Sequence, residues 1–142
     1  MVRAFARVFV LLSLAAPLAS AGLTVERLAT EYQALRKQRG HFSGGELNDA
    51  VDRAGGRKEE LLAELGERLG NGTHSRADII ALMGEPDAVL KPGDLMFRRA
   101  YDRKDPRVRE LLVYHWRGWH DFLYFASDET QVLASGWWAA FE

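Results

Sequence analysis

Apolar residues recur every three to four positions through the first half of the chain and alternate through its last third. Val25, Leu28, Tyr32 and Leu35 follow the helical period between Leu23 and Arg39, and Gly40 supplies a stop. The opposite face carries Glu26, Arg27, Glu31, Arg36 and Lys37, a solvated pattern. His41-Phe42-Ser43-Gly44-Gly45 is a break, Glu46 to Ala54 a short helix with Leu47 and Val51 four apart, and Gly55-Gly56 a second break. Leu61, Leu62, Leu65 and Leu69 give one apolar face to a helix over Arg57 to Leu69. Gly66 weakens its last turn by roughly 1 kcal/mol relative to alanine. After the loop Gly70-Asn71-Gly72-Thr73, Ser75 is an N-cap with Asp78 at the reciprocal position of a capping box. The helix Arg76 to Met83 buries Ile79, Ile80 and Met83 and stops at Gly84. Pro86 then pushes Glu85 toward an extended conformation.

The period changes after Pro86. Met96 to Tyr101 is read as a strand, and Asp102 to Arg109, which contains Pro106, as a charged loop. Glu110 to Trp116 alternates: Leu112, Tyr114 and Trp116 share one face, Leu111, Val113 and His115 the other. Arg117-Gly118 is a turn, Trp119 to Ala126 a strand, Ser127-Asp128-Glu129 a turn, and Gln131 to Ala139 a strand. Helices first and strands after predict an α+β fold, with N-terminal helices packed on one face of a three- to four-stranded antiparallel meander. Residues 22–142 form one domain, with a helical part over 22–70 and a helix plus antiparallel sheet over 72–142.

Residues 1–21 read differently. Arg3 and Arg7 precede the apolar run Val8 to Ala16, and Ala19-Ser20-Ala21 closes it with small residues. That is the pattern of a cleavable secretory signal peptide. The run is too short for a membrane span of about 20 residues. The expected location is secreted or periplasmic, with Gly22 as the first mature residue. The whole chain carries 19 basic and 20 acidic residues, and loss of Arg3 and Arg7 makes it slightly more acidic. No basic excess favours nucleic acid as a partner. The chain has no cysteine, which excludes thiolate metal sites, a cysteine nucleophile and a lipid anchor on cysteine. Asn71-Gly72-Thr73 is an N-glycosylation sequon at Asn71.

One segment carries a resemblance. Gly72 to Asp87 reads Gly-Thr-His-Ser-Arg-Ala-Asp-Ile-Ile-Ala-Leu-Met-Gly-Glu-Pro-Asp. Its glycine, hydroxyl N-cap, acidic residue, aliphatic residue and Gly-x-Pro-Asp exit resemble the pattern of the BamE/SmpA-OmlA family of small cell-envelope proteins. Leu112-Val113-Tyr114-His115-Trp116 takes the place of the aromatic strand that follows there. The resemblance spans Gly72 to about Trp138 and implies two helices against a three-stranded antiparallel sheet, in a protein-binding module. The same architecture is similar to that of secreted β-lactamase inhibitor proteins, which implies an inhibitor as a variant of that role. The chain departs from the family in having no lipid-attachment cysteine and in adding the helices of Leu23 to Leu69. Gly40 to Gly45 and Trp116 to Asp121 also resemble pieces of an uncharacterised secreted protein family, which implies no function.

Two constellations are candidates for chemistry. His115, His120 and Asp121 flank one turn, and with His41 from the glycine break they are the candidate metal or general-base group. The simpler reading makes them packed or surface residues, with Asp121 bonded to its turn. Trp116, Trp119, Trp137 and Trp138 are the second group. Adjacent Trp137 and Trp138 must face opposite sides of the sheet, so one belongs under the helices and the other faces solvent, a ligand or a partner. The alternative is that the extra helices cover both faces. Arg98-Arg99 and Arg103-Lys104 form a modest basic cluster, read as a solvated loop.

No phosphate-cradle glycine loop, nucleophile elbow or His-Glu-x-x-His motif is present, and no cofactor is expected. The reading is therefore a non-catalytic module, an envelope adaptor or inhibitor that binds another envelope or extracellular protein. Its expected surface is the open side of the sheet and the hairpin around Trp116, Arg117, Trp119, His120, Asp121 and Trp138. The alternatives are a small extracytoplasmic hydrolase or metal-binding protein using His41, His115, His120 and Asp121, and a glycan-binding domain using the tryptophans.

Overall fold

A computed structural model describes residues 22–102 and 104–140. The signal-peptide segment 1–21 and Arg103 of the basic cluster lie outside the described residues. Helix α1 spans Val25–Arg36, a 3-10 turn His41–Ser43, α2 Asp49–Asp52, α3 Arg57–Leu69 and α4 Arg76–Met83. Strand β1 (Ala88–Leu90), helix α5 (Leu95–Ala100), and strands β2 (Glu110–Arg117), β3 (Asp121–Ser127) and β4 (Val132–Ala139) follow. The strands form one antiparallel sheet in the order β1-β2-β3-β4. The fold is α+β, with the helices before most of the sheet, as the pattern predicts.

The caps do what the sequence asks of them. Thr24 Oγ1 accepts from the Arg27 N–H at 3.3 Å to open α1. At α4, Ser75 Oγ accepts from the Asp78 N–H at 3.0 Å, and Asp78 Oδ2 accepts from the Ser75 N–H at 2.8 Å. Those bonds hold the Asp78 carboxyl below its ordinary value. At Gly84 the backbone turns to φ 82°, a conformation that glycine adopts without strain, and the helix ends.

Two apolar layers sandwich the sheet. On one side Leu28, Tyr32, Leu61, Leu65, Leu69 and Met83 from α1, α3 and α4 pack on Leu112, Tyr114, Trp116, Leu123 and Phe125. Gly66 faces this seam: a Cβ there would lie 2.7 Å from Leu123 Cδ1, so its loss of helix propensity lets α3 approach β3 closely. On the other side Phe97, Ala100 and Tyr101 pack on Leu111, Val113, Phe122 and Tyr124. The alternation read from β2 is therefore the observed division of faces.

Three expectations are corrected here. Met96 to Tyr101 is not a strand but contains α5. Phe97, Ala100 and Tyr101 are three and four apart, and the helical turn puts all three against the sheet. The N-terminal helices do not extend over both faces: α5 and its flanking loops cover the second one. Trp137 and Trp138 do face opposite sides, but neither sits beneath the helices. Trp138 packs beside the second layer, while Trp137, paired with Leu123 on the helix side, lies on edge strand β4 and stays 40% exposed. Strand β1 adds a fourth strand beside β2 that short local patterning does not reveal. The family resemblance implies two helices and three strands; among the described residues there are five α-helices and four strands.

Candidate functional site

The β2–β3 hairpin is anchored by the residues that close it. The pairing jumps from His115 opposite Phe122 to Arg117 opposite Asp121, so Trp116 occupies a bulge. Its indole turns inward, 7% exposed, and Nε1 donates to the Val51 carbonyl in α2 at 2.9 Å. Arg117 lies across the same joint. Its guanidinium carbon sits 4.3 Å from the Trp116 ring centroid and 5.1 Å from that of Phe42. Arg117 Nε donates to Asp121 Oδ2 at 2.8 Å and Nη1 to the Asp52 carbonyl at 3.3 Å. Trp116, Arg117 and Asp121 thus form one interior joint between hairpin and α2. The expectation that Trp116 presents itself to a partner is corrected on that ground, while the Arg117 side chain, bonded to Asp121 and Asp52, stays 29% exposed.

Trp119 is different. It is 64% exposed at the tip, with its ring edge-on to His120 at a centroid distance of 4.1 Å. Gly118 runs beside Phe42: a Cβ at Gly118 would lie 3.5 Å from the Phe42 Cβ. Phe42 is itself 48% exposed, and Leu47 in the same connection is the most open large apolar residue of the set. The aromatic tip therefore comprises Trp119 and Phe42, flanking Gly118 on a braced hairpin. Phe42 was not singled out from the sequence, because a lone aromatic in a glycine-rich break has no periodicity to report its position. Trp138 is partly covered by the second layer and pairs with Phe122, on the strand that runs beside the hairpin end.

The turn holding Phe42 is fixed by a buried carboxylate. Asp52 is almost wholly buried, and its Oδ2 accepts from the His41 and Asn48 N–H groups, both at 2.8 Å. Its other oxygen packs against Gly40, where a side chain would collide with it. Burial pushes the Asp52 carboxyl up. The Asn48, His41 and Phe42 N–H groups outweigh it, and the net position is below the ordinary value. The folded state therefore binds fewer protons here than the unfolded chain. The contribution is complete above the unfolded value of about 3.9 and is lost as pH falls through the folded one. Asp52→Asn is accordingly expected to flatten the acid limb of the stability curve, measured as the denaturant midpoint from pH 6 down to about pH 3. A wild-type and variant pair with parallel acid limbs contradicts this.

The histidines do not assemble. Among the described residues no group of three or more His, Asp or Glu side chains is placed to hold a metal ion. His41 is exposed beside Phe42, His115 packs on Phe122, His120 backs on Trp119, and Asp121 is taken by Arg117. The metal reading of His41, His115, His120 and Asp121 is corrected: they belong to different surroundings. Burial pushes the His115 imidazole down, opposed by Asp87 and reinforced by Lys58 and Arg36. Asn71 is exposed in the loop before α4, its Oδ1 accepting from the Thr73 N–H and hydroxyl. No helix among the described residues is long and apolar enough to cross a membrane. No family model, curated protein or solved structure matches the chain.

Proposed function

We propose that this chain is a secreted or periplasmic, non-catalytic protein-binding domain whose contact surface is the Trp119–Phe42 tip. The observation that carries the reading is a 64% exposed tryptophan on a hairpin whose base is locked by Trp116, Arg117 and Asp121. Exposed tryptophan on a rigid frame loses little entropy on association, and tryptophan is enriched among interface hot spots. The location rests on Arg3, Arg7, the run Val8 to Ala16 and Ala19-Ser20-Ala21. The envelope-family resemblance of Gly72 to Asp87 points the same way, toward an adaptor or inhibitor. In a eukaryotic secretory pathway Asn71 is open to glycosylation.

The test is a cross-linking pull-down with the full chain secreted under its own leader, read by mass spectrometry. The expected result is one dominant extracytoplasmic protein cross-linked near Trp119, on a chain whose first residue is Gly22. Trp119→Ala is expected to weaken that partner by at least about 2 kcal/mol, roughly 30-fold, with an unchanged melting temperature. Equal capture by wild type and Trp119→Ala moves the surface elsewhere. Capture of oligosaccharide in place of protein replaces the reading with a glycan-binding one.

A further inference from the structure

The sheet has two outer edges, and they are finished differently. Strand β1 is three residues long and lies between Pro86 and Pro92. Lys91 at its end is held by Glu110 and Glu129. Shortness, proline and charge are means by which an edge is kept from pairing with another chain. Strand β4 has none of them: its eight residues, Val-Leu-Ala-Ser-Gly-Trp-Trp-Ala, include no charge and no proline. Its register shift, opposite Ala126 and Ser127, falls before Ser135.

The ladder fixes which backbone groups of β4 point outward. The Ala140 N–H donates to the His120 carbonyl at 3.0 Å, and the same register pairs Phe122 with Trp138 and Tyr124 with Gly136. Hydrogen-bonded and non-bonded pairs alternate along an antiparallel ladder, so Ser135, Trp137 and Ala139 turn their N–H and C=O groups away from β3. Among the described residues no backbone group bonds to them on that side. The start of the same edge is covered. The Val132 N–H donates to the His74 carbonyl at 3.0 Å, Ser75 bridges Gln131, and a Cβ at Gly72 would lie 4.0 Å from the Leu133 carbonyl oxygen. The open edge is therefore Ser135 to Ala139, with Trp137 at its centre, 40% exposed.

We propose that this edge pairs with the same edge of a second copy of the chain, β4 antiparallel to β4 about a twofold axis at Trp137. The two four-stranded sheets then become one continuous sheet. The register that uses all three outward residues sets Ser135 opposite Ala139 and Trp137 opposite its own counterpart, for about six new backbone hydrogen bonds. That register is self-complementary, as a twofold interface requires. It places Val132 opposite position 142, so the loop that covers the start of each edge falls outside the paired residues. Both Trp137 side chains stand on the helix side of the sheet and meet across the axis, with Cα atoms about 5.5 Å apart. Each ring covers the exposed part of the other. The edge carries no charge to select a different partner, and none to repel its own copy. Trp119 contributes no backbone group to it.

The test is sedimentation equilibrium of the full secreted chain from about 1 μM to 1 mM, with amide hydrogen exchange at both ends of that range. A concentration-dependent monomer–dimer equilibrium is expected. The Ser135, Trp137 and Ala139 amides are expected to exchange more slowly in the concentrated sample. Ala139→Pro removes an outward N–H that the chain's own ladder does not use, a position where an edge strand tolerates proline. Trp137→Lys sets two ammonium groups against each other across the axis. Each is expected to weaken association by about tenfold or more, while the dilute variant keeps the wild-type melting temperature. Trp137→Phe, which keeps a ring, is expected to retain the dimer and guards against a variant that misfolds. A chain that stays monomeric throughout overturns the proposal. So does a dimer that persists in folded Ala139→Pro and Trp137→Lys, or one that Trp119→Ala abolishes while these two leave it intact. Protection of the three amides only when a different extracytoplasmic protein is added assigns the edge to that protein and overturns it as well.

Discussion

Trp116→Ala is expected to lower the stability of the fold by about 3–5 kcal/mol, the range for truncating a large buried aromatic. The indole is 7% exposed within the layer under α1, α3 and α4. Its loss leaves a cavity, removes the 2.9 Å donation to the Val51 carbonyl and unseats the Arg117 guanidinium stacked 4.3 Å above it. The exposed neighbour gives the contrast: Trp119→Ala is expected to stay within about 0.5 kcal/mol, as surface changes do. Chemical denaturation of both variants decides the matter. Similar losses at the two positions contradict the division between interior joint and exposed tip. Trp116→Phe is expected to recover part of the loss, since it restores ring volume without the N–H.

Arg36→Met is expected to cost about 2–4 kcal/mol, because one guanidinium satisfies several groups at once and hydrogen bonds to a charged donor contribute about 1.5–3 kcal/mol each. Arg36 donates to the Met83 carbonyl at 3.0 Å, to the Glu85 carbonyl, and to Asp87 Oδ1 at 2.9 Å. It also lies 5.4 Å from the Tyr114 ring centroid and 6.0 Å from that of Tyr32. These contacts join the end of α1 to the exit of α4 and the entry of β1. Methionine covers the rings but leaves the carbonyls and the carboxylate unpaired. The ion pair is about a quarter exposed on each side, so added salt is expected to recover little of the difference. A denaturant midpoint within error of wild type contradicts the role. A large loss at Arg57, whose pair with Glu31 is more open, is not expected.

Cap chemistry and periodicity are local, and that part of the fold was legible. Ser75, Asp78 and Gly84 delimit α4, Leu61, Leu62, Leu65 and Leu69 define the buried face of α3, and β2 alternates between two faces as its side chains predict. Met96 to Tyr101 is too short to fix a period from its four apolar positions, Met96, Phe97, Ala100 and Tyr101, and only the sheet surface beneath Phe97, Ala100 and Tyr101 selects the helix. Three-residue β1 is too short to alternate and exists by pairing with β2. The candidate site divides in the same way. Trp119, read as the first residue of a strand just after the Arg117-Gly118 turn, lies in the turn itself, and its exposure follows from that position. Arg117 looked identical in sequence, and its placement over the neighbouring Trp116 ring is decided by Phe42 and Asp52 arriving from distant segments.

By itself, the sequence determined the order of helices and strands, the faces of the long elements and the leader-like pattern of residues 1–21. Those features depend on neighbours a few residues away. The tertiary structure alone decided which charged residues are interior. Lys58 sits beside Glu59 and Glu60 at a helix start and reads as solvated, yet packing of α1, α2 and β2 around it leaves it 7% exposed over a cavity. Burial of a charge depends on what the rest of the chain brings to it, and no local pattern encodes that.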